Sequence, residues 1–379
     1  MRPRIPLALS ACVFAITGAA ALGTAHASAT QRAVVVIEGG GSTHAFTTPW
    51  DACDGGRPMY VQALRDAGLP VFTAPGFTNT ERSTAGETGC PPQPPVETQW
   101  NTAAYPTQAG ESVLGFLGYL NATYGYREFD LVGYSYGGLV ARATVAALKR
   151  PPAAASMAPA FSYAQGAAAG VRVPAITTLN SPHFGSPTYD IASDPTAYLL
   201  SVTRAWGKEF ADAGKGLLVY QRGGGAGAIQ VLATAGHARR NAKSWDARQA
   251  GVLDDVRLTL IAGDYCGREC VDGRAASRRA TKAALRTDGT VPVYSQLMLP
   301  CPAACPTPPG AVYIPPRLLP AGTVRRTFPT LHSTFDSRRL GLPKGLSVSR
   351  NPPAIRFLVS TVVGAWNAAG VTVAAPPVA

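Results

Sequence analysis

Asp130-Leu131-Val132-Gly133-Tyr134-Ser135-Tyr136-Gly137-Gly138 is an apolar run that closes on Gly-x-Ser-x-Gly and passes straight into Leu139-Val140-Ala141-Arg142-Ala143. The pattern reads as strand, tight turn, helix. It would put Ser135 at the tip of a strained turn with its hydroxyl clear of the sheet, and the glycines two before and two after it let strand and helix approach closely. That is the geometry of a nucleophile elbow. An ordinary strand-to-helix connection has the same local pattern, because Gly and Ser are common turn residues, so the surroundings must decide.

Upstream, Ala33-Val34-Val35-Val36-Ile37 is apolar throughout, as a central parallel strand buried on both faces requires. It runs into Glu38-Gly39-Gly40-Gly41-Ser42-Thr43-His44, where a triple glycine either turns backbone N–H groups toward a ligand, as an oxyanion hole does, or makes a plain flexible turn. Arg57 to Gly68 reads as a helix stopped by Gly68, and Leu69 to Ala74 as a short strand, which completes a βαβ unit. The polar, proline-broken stretch from Gly76 to about Thr107 reads as a surface loop. Pro106 to Tyr124 carries a helical stripe at Val113, Phe116, Leu117 and Leu120.

Beyond the elbow, the helix from Leu139 to Lys149 stops before Pro151-Pro152, an alanine-rich linker follows to Gly170, and Val173 to Leu179 is the next buried strand. No strand is evident again until Val256 to Gly263. Residues 184–255 are therefore expected to form a helical and loop insertion over the sheet's edge, of a length that suits a cap or lid. An excursion from Cys266 to Arg286 carries Arg274, Arg278, Arg279, Lys282 and Arg286 at near-helical spacing, the pattern of one basic helix face. Pro300 to Pro320 is a proline-rich loop, Val324 to Phe328 the last strand, and Pro353 to Asn367 an amphipathic helix. Strands alternating with helices imply an α/β fold, a mostly parallel sheet covered on both faces, as one domain over residues 28–379.

The 379 residues are 46% hydrophobic and 15% charged, which allows a large core and excludes a disordered chain or a fibre. Arg2 and Arg4 precede an apolar run from Ile5 to about Leu22 and an Ala25-His26-Ala27 end, the pattern of an export signal over residues 1–27. No second apolar run is long enough to span a bilayer. Cys12 falls in that signal; the even set that remains, Cys53, Cys90, Cys266, Cys270, Cys301 and Cys305, is expected to form disulfides in an oxidising compartment. Nearness pairs Cys266 with Cys270 and Cys301 with Cys305, leaving Cys53 for Cys90. The two Cys-x3-Cys pairs would also supply four thiolates for zinc, but export and the prolines around Cys301 and Cys305 argue against a metal site. With a formal net charge of +12, an exported chain should linger near anionic surfaces such as cell-wall polymers or anionic lipid. No nucleic-acid recognition motif accompanies the charge, and a monomer is expected.

A serine hydroxyl needs a neighbouring base, and the base needs a carboxylate to hold its tautomer and stabilise its cation. Of the five histidines, His26 lies in the export signal, His44 precedes the nucleophile, His183 follows Ser-Pro at a strand end, and His237 lies in the insertion. Only His332 follows a late strand. For the acid, Asp264 stands directly at the end of its strand, whereas Asp288 is displaced by the excursion but opens Asp288-Gly289-Thr290-Val291-Pro292, a tight turn suited to aiming a carboxylate back at the sheet edge. Ser135, Asp288 and His332 keep the chain order Ser, Asp, His.

With these residues in view, Gly133-Tyr134-Ser135-Tyr136-Gly137-Gly138, Asn180-Ser181-Pro182-His183-Phe184-Gly185-Ser186-Pro187 and Asp288-Gly289-Thr290-Val291-Pro292 resemble the elbow, the Ser/Thr-Pro-His-x-Gly-Ser/Thr turn and the acid loop of exported bacterial lipases and esterases of the α/β-hydrolase fold. The resemblance implies Ser135 as nucleophile, Asp288 as acid, His332 as base, and the backbone N–H groups of Gly40 and Tyr136 as the oxyanion hole. It implies a lipid or other carboxylic ester as substrate and no cofactor. Where that family has His-Gly after the first strand this chain has Glu38-Gly39, which leaves Gly41 as an alternative donor to Gly40. Acyl transfer to an envelope alcohol by the same residues, and a non-catalytic binding protein on the same scaffold, are the competing readings. Thiol titration of the native protein is expected to find the six cysteines unreactive; four or more reactive thiols would rule out the disulfides.

Overall fold

The run Ala33 to Ile37 has no polar face to offer water, and all of Arg32–Ile37 is buried, so it forms the middle of a sheet rather than an edge. The computed structural model of the chain describes residues 31–40, 59–77, 99–149, 170–206, 212–215, 226–234, 236–265, 286–300, 318–333, 336–337 and 343–371. The export signal, the six cysteines expected to pair, Gly41, the alanine-rich linker, the basic stretch from Arg274 to Lys282 and most of the proline-rich loop lie outside these residues.

In chain order the elements are β1 (Arg32–Ile37), α1 (Met59–Asp66), β2 (Val71–Thr73), β3 (Gly76–Phe77), β4 (Trp100–Asn101), α2 (Pro106–Tyr124), β5 (Glu128–Tyr134), α3 (Gly137–Lys149) and β6 (Arg172–Leu179). Then follow α4 (Pro187–Ser193), α5 (Pro195–Trp206), α6 (Ala226–Leu232), α7 (Gly236–Arg248), β7 (Arg257–Gly263), α8 (Val293–Gln296), β8 (Val324–Phe328) and α9 (Pro352–Ala368). Six strands make one sheet in the order β2-β1-β5-β6-β7-β8, every pairing parallel. With the elbow after β5, this is the α/β-hydrolase fold.

Alternation along the central strands divides the core. Val34, Val36 and Val132 pack with Tyr60 and Leu64 of α1 and Leu358 and Val362 of α9, while Ala33, Val35, Ile37 and Leu131 pack with Val113 and Phe116 of α2 and Val140 of α3. One expectation fails in part. Inside the stretch expected to be loop, Gly76–Phe77 pairs in parallel with Trp100–Asn101, and Trp100 is buried; two-residue strands are too short to carry a periodicity.

Between β6 and β7 the described residues form the four helices α4 to α7. Arg142 of α3, fully buried, donates to Asp246 of α7 at 2.9 Å and lies 4.6 Å from the Trp245 ring centroid. This contact joins the inserted helices to the helix that follows Ser135. Burial pushes the Asp246 carboxyl up to about 6 despite the guanidinium beside it. Among the described residues no helix is long and apolar enough to cross a membrane.

Near the start of β5, Asp130 accepts both oxygens' worth of hydrogen bonds from Arg32 of β1 (2.7 and 2.9 Å), and Trp366 of α9 donates to it at 2.6 Å. Arg32 also lies 5.4 Å from the Trp366 ring centroid. Asp130→Ala would leave Arg32 charged, buried and unpaired, so urea unfolding is expected to show a loss of about 3–5 kcal/mol. A loss below about 1 kcal/mol would show that the pair does not hold α9 to the sheet.

Candidate active site

Ser135 sits at φ 51, the left-handed region that a side chain rarely adopts. The turn is held from both sides: the Ser135 amide donates to Leu179 O of β6 at 2.8 Å, and the Gly138 amide donates to Ser135 O at 3.1 Å. A Cβ on Gly137 would fall 2.0 Å from Ile37 O, so only glycine lets α3 begin against the end of β1. For this reason α3 starts at Gly137, two residues earlier than the apolar run alone indicates. The same close approach brings Gly39 against Ser135, where an added Cβ would lie 3.0 Å from the serine Cβ. Gly40, next in the turn, is exposed, and Tyr136 follows Ser135 at the head of α3. Tyr136 adjoins the serine in sequence, and the positive end of the α3 dipole lies behind it.

His332 follows β8. Its own amide donates to Asp288 O at 2.9 Å, its carbonyl accepts from Tyr134 Oη at 2.7 Å, and the preceding Leu331 pairs with the segment at Ser347. The imidazole Nε2 lies 2.8 Å from Ser135 Oγ and Nδ1 lies 2.7 Å from Asp288 Oδ2. The acid's other oxygen, Oδ1, accepts from the amides of Thr290 and Val291 at 2.9 and 2.6 Å. Asp288 is 0% exposed, and Ser135 and His332 are each 7% exposed.

These contacts set the ionisation. Burial pushes the Asp288 carboxyl above its ordinary range, opposed by the imidazole and by the two loop amides. Burial pushes His332 down, but the charge and hydrogen bond of Asp288, together with the charge of Asp336, more than offset it and leave the imidazole above its ordinary value. A base held in this way can accept the serine proton and pass it on, and the acid stabilises the cation formed in between. Asp264, the competing acid, instead accepts from Arg286 Nε at 2.7 Å.

Asp288 reaches the sheet edge despite the excursion because Gln296 of α8 ties its loop to β7. Its Oε1 accepts from the Gly263 amide at 2.8 Å and its Nε2 donates to Val291 O at 2.8 Å. Neither this clasp nor the Tyr134 hydroxyl is signalled by the sequence, since a glutamine in a short helix and a tyrosine inside the elbow motif both read as filler. His183 stands apart from the triad. It is buried with Nε2 3.1 Å from Thr178 Oγ1, and burial, helped by the charge of Arg142, pushes it well below its usual value, so it is neutral. His44 lies outside the described residues, and His237 lies within α7. Among the described residues no group of three or more His, Cys, Asp and Glu side chains could hold a metal ion.

Residues 107–209 match the family model described as "Putative serine esterase (DUF676)". That span includes the elbow and β6 but neither Asp288 nor His332. No curated protein matches the sequence. Among solved structures, the chain is similar to Bacillus licheniformis lipase BlEst2 in mature form (14% identity, 87% of this chain and 93% of that one, TM-score 0.40). It is also similar to lipase 1 from Pelosinus fermentans (13%, 87% and 99%, TM-score 0.42) and to the RedJ thioesterase of Streptomyces coelicolor (14%, 88% and 85%, TM-score 0.39). The fold assignment rests on the strand order and the elbow, independently of these likenesses.

The contact geometry separates the two acids in a measurable way. Asp288→Asn removes the charge facing Nδ1 and is expected to lower ester turnover on the order of 10⁴-fold, whereas Asp264→Asn breaks only the Arg286 contact and should cost far less. In the native protein, the raised imidazole value means that activity is lost as pH falls through a midpoint above 6.5, because the proton that must be absent from Nε2 binds there first. The larger loss arising from Asp264 would reassign the acid.

Proposed function

We propose that the chain is a secreted serine hydrolase that cleaves carboxylic esters, a lipase or esterase, through an acyl-enzyme on Ser135. The observation that carries the proposal is the continuous contact from Ser135 Oγ through the His332 imidazole to a fully buried Asp288 carboxylate, starting from a serine in a left-handed turn. Such a backbone costs of order 1–3 kcal/mol, and among the described non-glycine residues only Asn180 and Met298 share it.

In the first half-reaction His332 Nε2 takes the Ser135 hydroxyl proton as Oγ attacks the ester carbonyl carbon. The carbonyl oxygen becomes an oxyanion that the N–H groups of Gly40 and Tyr136 stabilise. Collapse of the tetrahedral intermediate breaks the bond to the alkoxy oxygen, which leaves as an alcohol carrying the proton from His332. Water then gives its proton to the same nitrogen, attacks the acyl-enzyme, and releases the carboxylic acid and free Ser135. Every step uses side chains and backbone amides of this chain.

Export is supported by the basic start, apolar run and Ala-x-Ala end of residues 1–27, and by the even count of cysteines that remains after them. The basic charge supports residence near anionic surfaces, where ester-bearing lipids are presented. Ser135→Ala is expected to reduce turnover of a short-chain nitrophenyl ester by at least about 10⁴-fold and to abolish labelling by a fluorophosphonate, read as a mass increment on the intact protein. Unchanged turnover would discard the assignment.

A further inference from the structure

We propose that Asp336, which lies outside the Ser135, His332 and Asp288 chain, is a positioning residue of the same reaction: a second carboxylate that locks the histidine turn to the acid loop and adds its charge beside the imidazole. The proposal rests on the serine-hydrolase reading above. Asp336 is 4% exposed. Ser333, the neighbour of His332, donates to its Oδ2 at 2.5 Å, and Thr290 of the acid loop approaches its Oδ1 with Oγ1 at 3.4 Å.

Thr290 is the residue whose amide donates to Asp288 Oδ1, and its carbonyl accepts from the hydroxyls of Ser186 and Thr188 at 2.6 and 3.1 Å. The residue beside the base and the residue that orients the acid therefore meet on one carboxylate. A Ser-x-x-Asp pair also caps a helix, and the Asp336 amide does donate to Ser333 Oγ at 3.2 Å. Capping alone leaves the carboxylate at the surface; here it is buried and reaches a loop 46 positions away in sequence.

The groups facing the imidazole are few. Asp288 approaches from the acid loop, Ser135 and Tyr134 from β5 and its turn, and Asp336 from the histidine's own segment. Tyr189 of α4 faces both carboxylates but is neutral, since burial pushes its hydroxyl far up, and the same holds for Tyr134, on which Glu38 also acts. Among the described residues, Asp288 and Asp336 are thus the two charges that hold the imidazole's basicity up. Taking one away should make the base easier to deprotonate.

The test is the pH dependence of kcat/KM on a soluble nitrophenyl butyrate for the native chain, Asp336→Asn and Thr290→Val, with thermal unfolding of each. Asp336→Asn keeps the shape and removes the charge, so the acid limb should move to lower pH by on the order of half a unit to one unit, with kcat reduced. Thr290→Val keeps the charge and breaks the link, so kcat should fall while KM and the acid limb stay in place. A folded Asp336→Asn whose acid limb coincides with the native one overturns the proposal. If Asp336→Asn does not fold, Thr290→Val decides, and an unchanged kcat overturns it. Turnover that survives Ser135→Ala would overturn the hydrolase reading instead, so the two failures are distinguishable.

Discussion

The contact on which the site depends is the one between Gly137 and Ile37 O. A side chain at Gly137 would have to occupy the space of a backbone oxygen in the central strand, with its Cβ 2.0 Å away. Without one, α3 starts directly over the end of β1, Ser135 is forced to φ 51, and Gly39 is drawn against the serine. Three properties follow from a single close approach: the serine hydroxyl presented to His332, the adjacent glycine turn, and the helix dipole aimed at both. The local strain is balanced by the hydrogen bond that the Ser135 amide donates to Leu179 O, by the one its carbonyl accepts from the Gly138 amide, and by the packing of α3 on α2 and β5.

Much of the fold was legible in the sequence because it is written in burial. A strand covered on both faces needs a largely apolar run, unbroken from Ala33 to Ile37 in β1 and interrupted by buried Asp130, Thr177 and Thr178, and Thr259 in β5, β6 and β7; a helix against a sheet needs a stripe, and α2 and α9 have one. Elements that burial does not mark stayed hidden, as with β3 and β4, whose two residues each show no period. The site divides along a similar line. Ser135 announces itself because its backbone demands neighbouring glycines, and His332 because few histidines compete. The acid was ambiguous for a topological reason: Asp264 stands where β7 ends, but its partner is Arg286, and Asp288 is returned to the edge by Gln296, a long-range clasp that no local pattern encodes.

The two buried arginine pairs serve different ends of the molecule. Arg32 and Asp130 join β1, β5 and α9 with well-formed partners on both carboxylate oxygens, which suits a fixed joint. Arg142 and Asp246 join the nucleophile helix to the inserted helices. There the guanidinium has two buried atoms, Nε and Nη1, without hydrogen bonds among the described residues, against Nε alone in Arg32, and burial raises the acid to about 6, as it also raises Asp130. A buried pair with incomplete hydrogen bonding returns little of its desolvation cost. The attachment of α7 is therefore the weaker of the two joints.

Burial has opposite effects on the members of the triad, and this explains why one carboxylate and one imidazole do not form a self-sufficient unit. Removing water favours the neutral form of both Asp288 and His332, so each is pulled away from the charged state that the proposed acyl transfer requires of it. Fixed donors must replace the lost water. The amides of Thr290 and Val291 do so for the acid, the carboxylate of Asp288 does so for the base, and the Tyr134 hydroxyl holds the His332 carbonyl so that the ring cannot drift. Apart from Tyr134, which ends β5, these groups sit on loops, and loops at the carboxyl edge of a parallel sheet have no ladder to hold them in register. Cross-links between the loops supply that register, His332 N to Asp288 O and Thr290 O to Ser186, helped by Thr188 of α4 on Thr290 O and by Gln296 of α8 bound to Gly263 of β7. The precision of the catalytic geometry is in this sense a property of loop-to-loop hydrogen bonds, with the sheet acting only as their common anchor.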